Sequence, residues 1–271
     1  MVGVKKNKWF PALVIIVMLL FFYLPIIVMM VFSFNDSRSL TVWQGFSLRW
    51  YQSLFNDREM MSAIQTTVVI ALIATLVSTF IGTITAIGLS KSKRVIRDIV
   101  LTVNDFPILN PEIVTAIGMM LFFSTLAIPK GFMTMLLAHI AFCIPYVILS
   151  VLPKLRSLDP NVAEAALDLG ATPWQTLSKV IVPQIWGSIV AGALIAFTMS
   201  FDDFVISYFS TGNGVKNISI MVYTMTKRIN PTINALSTIM VAVITVVLVI
   251  INVLPLLKNR NNKERILKEG Y

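Results

Sequence analysis

Residues 159–183 read DPNVAEAALDLGATPWQTLSKVIVP. Asp159-Pro160 is a helix start, since an aspartate side chain caps orphan amides and proline at the first helical position has no amide to leave unpaired. Ala163, Glu164, Ala165, Ala166 and Leu167 continue it with good helix formers. Gly170 stops it, because glycine enters the left-handed conformation of a helix C-terminus without a Cβ penalty. Thr172-Pro173 repeats the start signal, and a second short helix is expected through Trp174, Leu177, Val180 and Ile181 until Pro183. Two capped helices joined at a glycine make a compact elbow, held in the polar interval 153–184 between two apolar runs.

Working outward, the apolar runs dominate. Of 271 residues, 56% are apolar and 13% charged, about half the usual charged share, so there is too little charge to cover a water-soluble fold of this size. A helix crossing the hydrocarbon needs roughly 20 mostly apolar residues. Such runs lie at about 9–34, 65–89, 99–128, 132–152, 186–208 and 236–257. The first contains no ionisable group except Tyr23. The third is interrupted by Asn104-Asp105, Pro107, Asn110-Pro111 and Glu112, prolines that could split it or delay its start. The expected fold is all-α: one polytopic domain over 1–271 with six transmembrane helices and the elbow at 153–184. The first run is too long for the apolar core of a cleaved signal and no A-x-A site follows it, so it reads as a retained anchor.

Lysine and arginine are retained on the cytoplasmic side. Fifteen of the 22 fall on one side of this topology: Lys5, Lys6 and Lys8, Lys91, Lys93, Arg94 and Arg97, Lys154, Arg156 and Lys179, and five between Lys258 and Lys268. The seven on the other side are Arg38, Arg49, Arg58, Lys130, Lys216, Lys227 and Arg228. Both termini, and the elbow, are therefore expected in the cytoplasm. The net charge of +9 records this distribution, and its spread over four segments argues against a nucleic-acid surface. One cysteine, Cys143, excludes an internal disulfide, and one histidine, His139, makes a zinc site unfavourable; no metal site is expected. There is no phosphate-binding loop, as Gly-Lys does not occur, so ATP hydrolysis by that route is excluded and the chain is not expected to be an enzyme.

Three acids fall at membrane depth: Glu112, Asp202 and Asp203. A charge inside a span is costly and faces a path or a partner. Phe201, Phe204, Tyr208 and Phe209 put aromatic faces beside the aspartates, a combination suited to ammonium groups on methylene spacers. Adjacent helical residues point about 100° apart. Both aspartates cannot enter one narrow lumen unless the helix unwinds, so one is expected to face the lumen and the other a partner or a backbone group. The blander readings are that the pair merely ends a helix and that Glu112 stabilises the break at Pro111. His139 reads as a neutral imidazole bonded to a carbonyl rather than a proton relay. Trp43, Phe46, Trp50 and Tyr51 read equally as a docking surface or an interfacial belt.

The elbow also carries a family resemblance. Glu164-Ala165-Ala166, three residues, Gly170, nine residues, then Val180-Ile181-Val182-Pro183 resembles the E-A-A loop of ABC-importer permeases, departing only by valine at both aliphatic positions. The blander reading is a surface helix pair lying along the membrane. Ser33-Phe34-Asn35, Trp43 to Leu48 with Trp50-Tyr51, Pro111 to Val114, Ser200 to Ser207 and Ile233 to Thr238 resemble one branch, the second permease subunit of spermidine/putrescine importers. The resemblance implies the type I (MetI-like) permease fold in the plasma membrane of a bacterium. It implies that Glu164, Ala165, Ala166, Gly170 and Pro183 couple to a cytoplasmic ATPase homodimer, which binds ATP and Mg²⁺ while this chain holds no cofactor. It further implies a second, homologous permease and an extracytoplasmic polyamine-binding protein as partners, membrane lipid around the chain, and Asp202, Asp203, Glu112, Phe201 and Tyr208 along the substrate path. Open beside it stand a permease for another cationic or small organic substrate and, from another class, an ion-driven secondary transporter using the same acids.

Overall fold

The computed structural model describes residues 9–39, 41–212, 214–226, 231–246 and 249. Among these there is no β-strand, only an isolated antiparallel bridge between Asn35 and Phe46. The helices are α1 (Trp9–Phe32), α2 (Arg49–Asn56), α3 (Arg58–Lys91), α4 (Arg94–Leu109), α5 (Glu112–Thr125), α6 (Phe132–Arg156), α7 (Asn161–Asp168), α8 (Pro173–Gln175), α9 (Val182–Phe201), α10 (Val205–Ser210), α11 (Ile218–Thr226) and α12 (Thr232–Val246). Among the described residues four helical runs are long and apolar enough to cross a membrane: Pro11–Phe32, Arg58–Lys91, Phe132–Arg156 and Pro173–Phe201.

The third span is not continuous. α4 and α5 meet at a 108° bend. Pro111 causes it, because its ring forces the preceding residue out of the helical region, and Asn110 is extended at φ −86°, ψ 152°. The bent pair counts as a fifth span. Of the sixth, expected at 236–257, α12 covers the start and most of the rest lies outside the described residues.

The fifth span is also corrected at both ends. The second elbow helix does not stop at Pro183 but runs on into α9 as one apolar run, Pro173–Phe201. A π-helical turn, Thr176–Ile181, joins α8 to α9, with the Val182 amide reaching back to the Leu177 carbonyl. Pro183, second in α9, has no amide to donate, and the widened turn ahead of it absorbs the missing bond. At the other end the helix stops at Phe201 rather than continuing to 208.

Two compact units divide the chain, residues 59–223 and a unit formed by the residues before and after them. Within the first, α6 and α9 run antiparallel along a seam of hydrogen bonds. Ser150 Oγ donates to the Ser188 carbonyl (3.0 Å) and Cys143 Sγ to that of Ala196 (3.4 Å), and beyond α9 Thr134 Oγ1 donates to the carbonyl of Ser210 at the end of α10 (2.8 Å). Without water in the hydrocarbon, such internal pairing is the means by which polar atoms are satisfied. Small residues let the neighbouring helices close in around the seam: Ala86 of α3, Ala116 of α5, Ala138 and Cys143 of α6 and Ala196 of α9 are all buried in one cluster. A Cβ on Gly82 of α3 would stand 2.8 Å from Val147, so only glycine lets α3 approach α6 this closely.

In the other unit, the segment after α1 folds around Asn35, which is fully buried. Its side chain donates to the Val42 carbonyl (2.8 Å) and accepts from the Gln44 amide (2.9 Å), while Trp50 Nε1 donates to its backbone carbonyl (2.7 Å). Phe34 stacks on Phe46 at 5.5 Å and tilts against Tyr51 at 5.2 Å. Trp50 is thus an interior anchor, whereas Phe46 is 70% exposed.

Candidate cation path and coupling elbow

The helix break at 202–204 separates the two aspartates. Asp202 is the last capping residue of α9, its amide still bonded to the Thr198 carbonyl, and it is exposed. Asp203 is 5% exposed and restarts the helix: its carboxylate accepts the amides of Ile206 (3.2 Å) and Ser207 (2.7 Å) and the Ser207 hydroxyl (2.8 Å). Aspartate competes for backbone amides in this way and so interrupts a helix where it lies. Asp202 stands twenty residues beyond Val182, roughly 30 Å from the elbow end of α9 and about one hydrocarbon thickness away.

Glu112 is the first residue of α5, exposed, with its carboxyl in contact with that of Asp203 and within electrostatic reach of Asp202. The break therefore collects all three acids. It collects aromatic rings as well: Phe204 lies 5.4 Å from Tyr208 and 4.8 Å from Tyr223, and Tyr208 6.0 Å from Tyr223. Phe201 stands apart from this group and stacks on Phe197 at 5.4 Å. His139 departs from expectation. Its ring bonds no carbonyl; Nδ1 meets Ser200 Oγ at 2.7 Å and Nε2 meets Ser207 Oγ at 2.8 Å, with Asp203 Oδ2 at 3.4 Å.

At the other end of α9, α7 carries Glu164 and Ala165 exposed and Ala166 half-buried. Gly170 follows at φ +84°, a conformation other residues adopt only with strain, and Thr172 with Gln175 forms a reciprocal capping box ahead of Pro173. Pro183 is exposed. A cavity of about 560 Å³ lies between the elbow and the ends of α3 and α6, with Lys91, Arg156, Asp159 and Glu164 on its wall. Leu169 and Trp174 are 90% and 72% exposed, so the elbow presents apolar side chains that none of the described residues covers.

The model of the family "binding-protein-dependent transport system inner membrane component" matches residues 78–266. The chain belongs to this permease family. It is 36% identical over 231 residues to the spermidine/putrescine transport system permease protein PotC of Escherichia coli K12, covering 85% of this chain and 87% of that one. It is 36% identical over 257 residues to the putrescine transport system permease protein PotI of the same organism, covering 90% and 89%. The PotC protein of Haemophilus influenzae is 35% identical over 242 residues, with 89% and 94% covered. Among solved structures, a chain of a bacterial ABC transporter that imports the acidic polysaccharide alginate superposes with a TM-score of 0.67 over 94% of this chain and 98% of its own. At 15% identity that likeness is one of fold.

The permease is thus a multi-pass, helical inner-membrane transport subunit. Its sequence left Ser200, Ser207, Asn217 and Tyr223 without a role. Asn217 donates to the Asp203 carbonyl (3.0 Å) and Ser207 Oγ (2.8 Å) while accepting the Ile220 amide (2.9 Å) at the start of α11. That start was legible, an asparagine cap before an apolar run. The position of Tyr223 beside Phe204 follows from α11 folding back on the break.

Proposed function

We propose that this permease forms half of the channel of an ATP-driven polyamine importer, with spermidine and putrescine as substrates. The observation that carries the reading is the break at 202–204, where three carboxyl groups meet an aromatic cluster. A polyamine is a row of ammonium groups on methylene spacers. Carboxylates replace the water each ammonium loses, and rings such as Phe204, Tyr208 and Tyr223 cover the spacers and attract the cation through their faces. The names of the relatives, spermidine/putrescine and putrescine permeases, point the same way. Both termini and the elbow lie on the cytoplasmic side in this reading. An ATPase homodimer binds ATP and Mg²⁺ and seats on the elbow around Glu164, Ala165, Ala166, Gly170 and Pro183; a second permease supplies the other half of the channel; and an extracytoplasmic binding protein delivers the cargo.

The test is uptake of labelled spermidine by cells lacking their own copy and complemented with variants. Asp202→Asn keeps the size of the side chain and removes its charge, so KM should rise about tenfold or more, the worth of one charge-assisted contact, at unchanged amounts of membrane-inserted protein. Wild-type kinetics in that variant would overturn the substrate path.

A further inference from the structure

Ser200 and Ser207 lie on opposite sides of the break, one in α9 and one in α10, and a single imidazole holds both. Proton counting fixes how. Ser207 Oγ has one hydrogen; Asn217 Nδ2, at 2.8 Å, can only donate to it, and the Asp203 carboxylate, also at 2.8 Å, can only accept from it. The serine hydrogen therefore goes to Asp203, and His139 Nε2 must be the donor to Ser207 Oγ. Nδ1 of a neutral ring is then left as acceptor for the Ser200 hydroxyl. Every member of the network is buried: His139 is 1% exposed, Ser200 2%, Ser207 0% and Asn217 2%. In a low-dielectric interior, a fully paired network of this kind is rigid, and a lost member strands its partners.

We propose that His139 is a positioning residue for transport, a clasp from α6 that fixes the angle between α9 and α10 and so sets Asp202 and the rings of Phe204 and Tyr208 against the cation. The inference rests on the cation-path reading above. The ring is suited to the task because its two nitrogens are rigidly spaced and have opposite roles, one bond to each side of the break. Asn217 extends the clasp to α11, and so to Tyr223. His139 itself does not touch substrate.

Two measurements test it. In purified protein carrying Cys143→Ala, spin labels at Phe197→Cys and Tyr208→Cys straddle the break and report its angle without any substrate. Adding His139→Ala or Ser200→Ala should broaden the label–label distance distribution, and an unchanged distribution in both would overturn the clasp. In the uptake assay, the same substitutions without labels should raise KM for spermidine about five- to tenfold, the loss of one or two buried hydrogen bonds, with Vmax per inserted molecule within about twofold. His139→Gln keeps a donor near Nε2 and should recover most of the wild-type KM, which a purely stabilising role would not require. If His139→Ala fails to insert, Ser200→Ala and His139→Gln decide the matter alone. A broadened distribution with wild-type KM would refute the positioning role. Loss of the Asp202→Asn effect with the clasp intact would instead sink the substrate path.

Discussion

At the scale of single residues, the instructive contrast is between neighbours. Asp203 receives two backbone amides, a hydroxyl and the edge of His139 inside the protein, whereas Asp202, one residue earlier, lies exposed. Removing the Asp203 carboxylate leaves two buried amides without acceptors, at about 1–3 kcal/mol each. Asp203→Ala should therefore lower the thermal unfolding midpoint of the detergent-purified protein by about 5 °C or more, with Asp203→Asn intermediate. Asp202→Asn should leave that midpoint unmoved while changing KM. Equal midpoints for Asp203→Ala and the wild type would show that the carboxylate does not hold the break. The sequence made both aspartates conspicuous as charges in a span, and it posed the geometric difficulty of two adjacent acids sharing one lumen. Which of them turns inward was not legible, because that depends on Ile206 and Ser207 presenting amides after the helix has already broken. His139 was undervalued for the same reason: its partners are 61 and 68 residues away in sequence.

At the scale of elements, what the sequence makes legible is what depends on neighbours in the chain alone. Local signals sufficed where the chain stops and restarts itself: Gly170 stands at φ +84° and the second elbow helix starts at Thr172-Pro173, as the sequence reading expects, while the Gln175 side of the Thr172 capping box is added by the structure. Proline was harder, since its effect depends on what surrounds it. Pro111 bends a span by 108°, Pro145 sits unremarked inside α6, and Pro183 is accommodated by a π turn that lets the elbow continue into α9. α8, the π turn and α9 form one helical run from the elbow to Asp202, so a coupling elbow would carry a push along it to the break. Glu164→Arg places a cation on the exposed face of α7 without touching the seam between α6 and α9. The expected outcome is loss of spermidine uptake with normal membrane insertion and without recovery of a bound ATPase on purification. Normal uptake by this variant would mean that the elbow does not couple to a motor.

For the molecule as a whole, burial identifies what the chain leaves unfinished. Of the most apolar window in each long helix, 61% is buried in Phe132–Arg156, 33% in Arg58–Lys91, 17% in Pro173–Phe201 and none in Pro11–Phe32. Within residues 59–223 α6 is the interior element, and the other two long helices of that unit keep apolar faces outward. Composition alone pointed to the membrane; it said nothing of cargo, and neither does the fold. The same architecture serves an alginate importer, whose substrate is a polyanion. The sign of the cargo must then be written in side chains, and here the break supplies Glu112, Asp202 and Asp203 with aromatic rings around them. A discriminating prediction follows from that charge. In cells with this chain and its partner subunits, labelled spermidine uptake should be competed by putrescine, which offers the same ammonium groups on a shorter spacer, and left unaffected by an equal concentration of an alginate oligosaccharide. Putrescine should compete less well than unlabelled spermidine, because it brings two ammonium groups rather than three to the acids. Competition by the anion, or none by putrescine, would remove the cationic cargo while leaving the permease fold and the elbow as they stand.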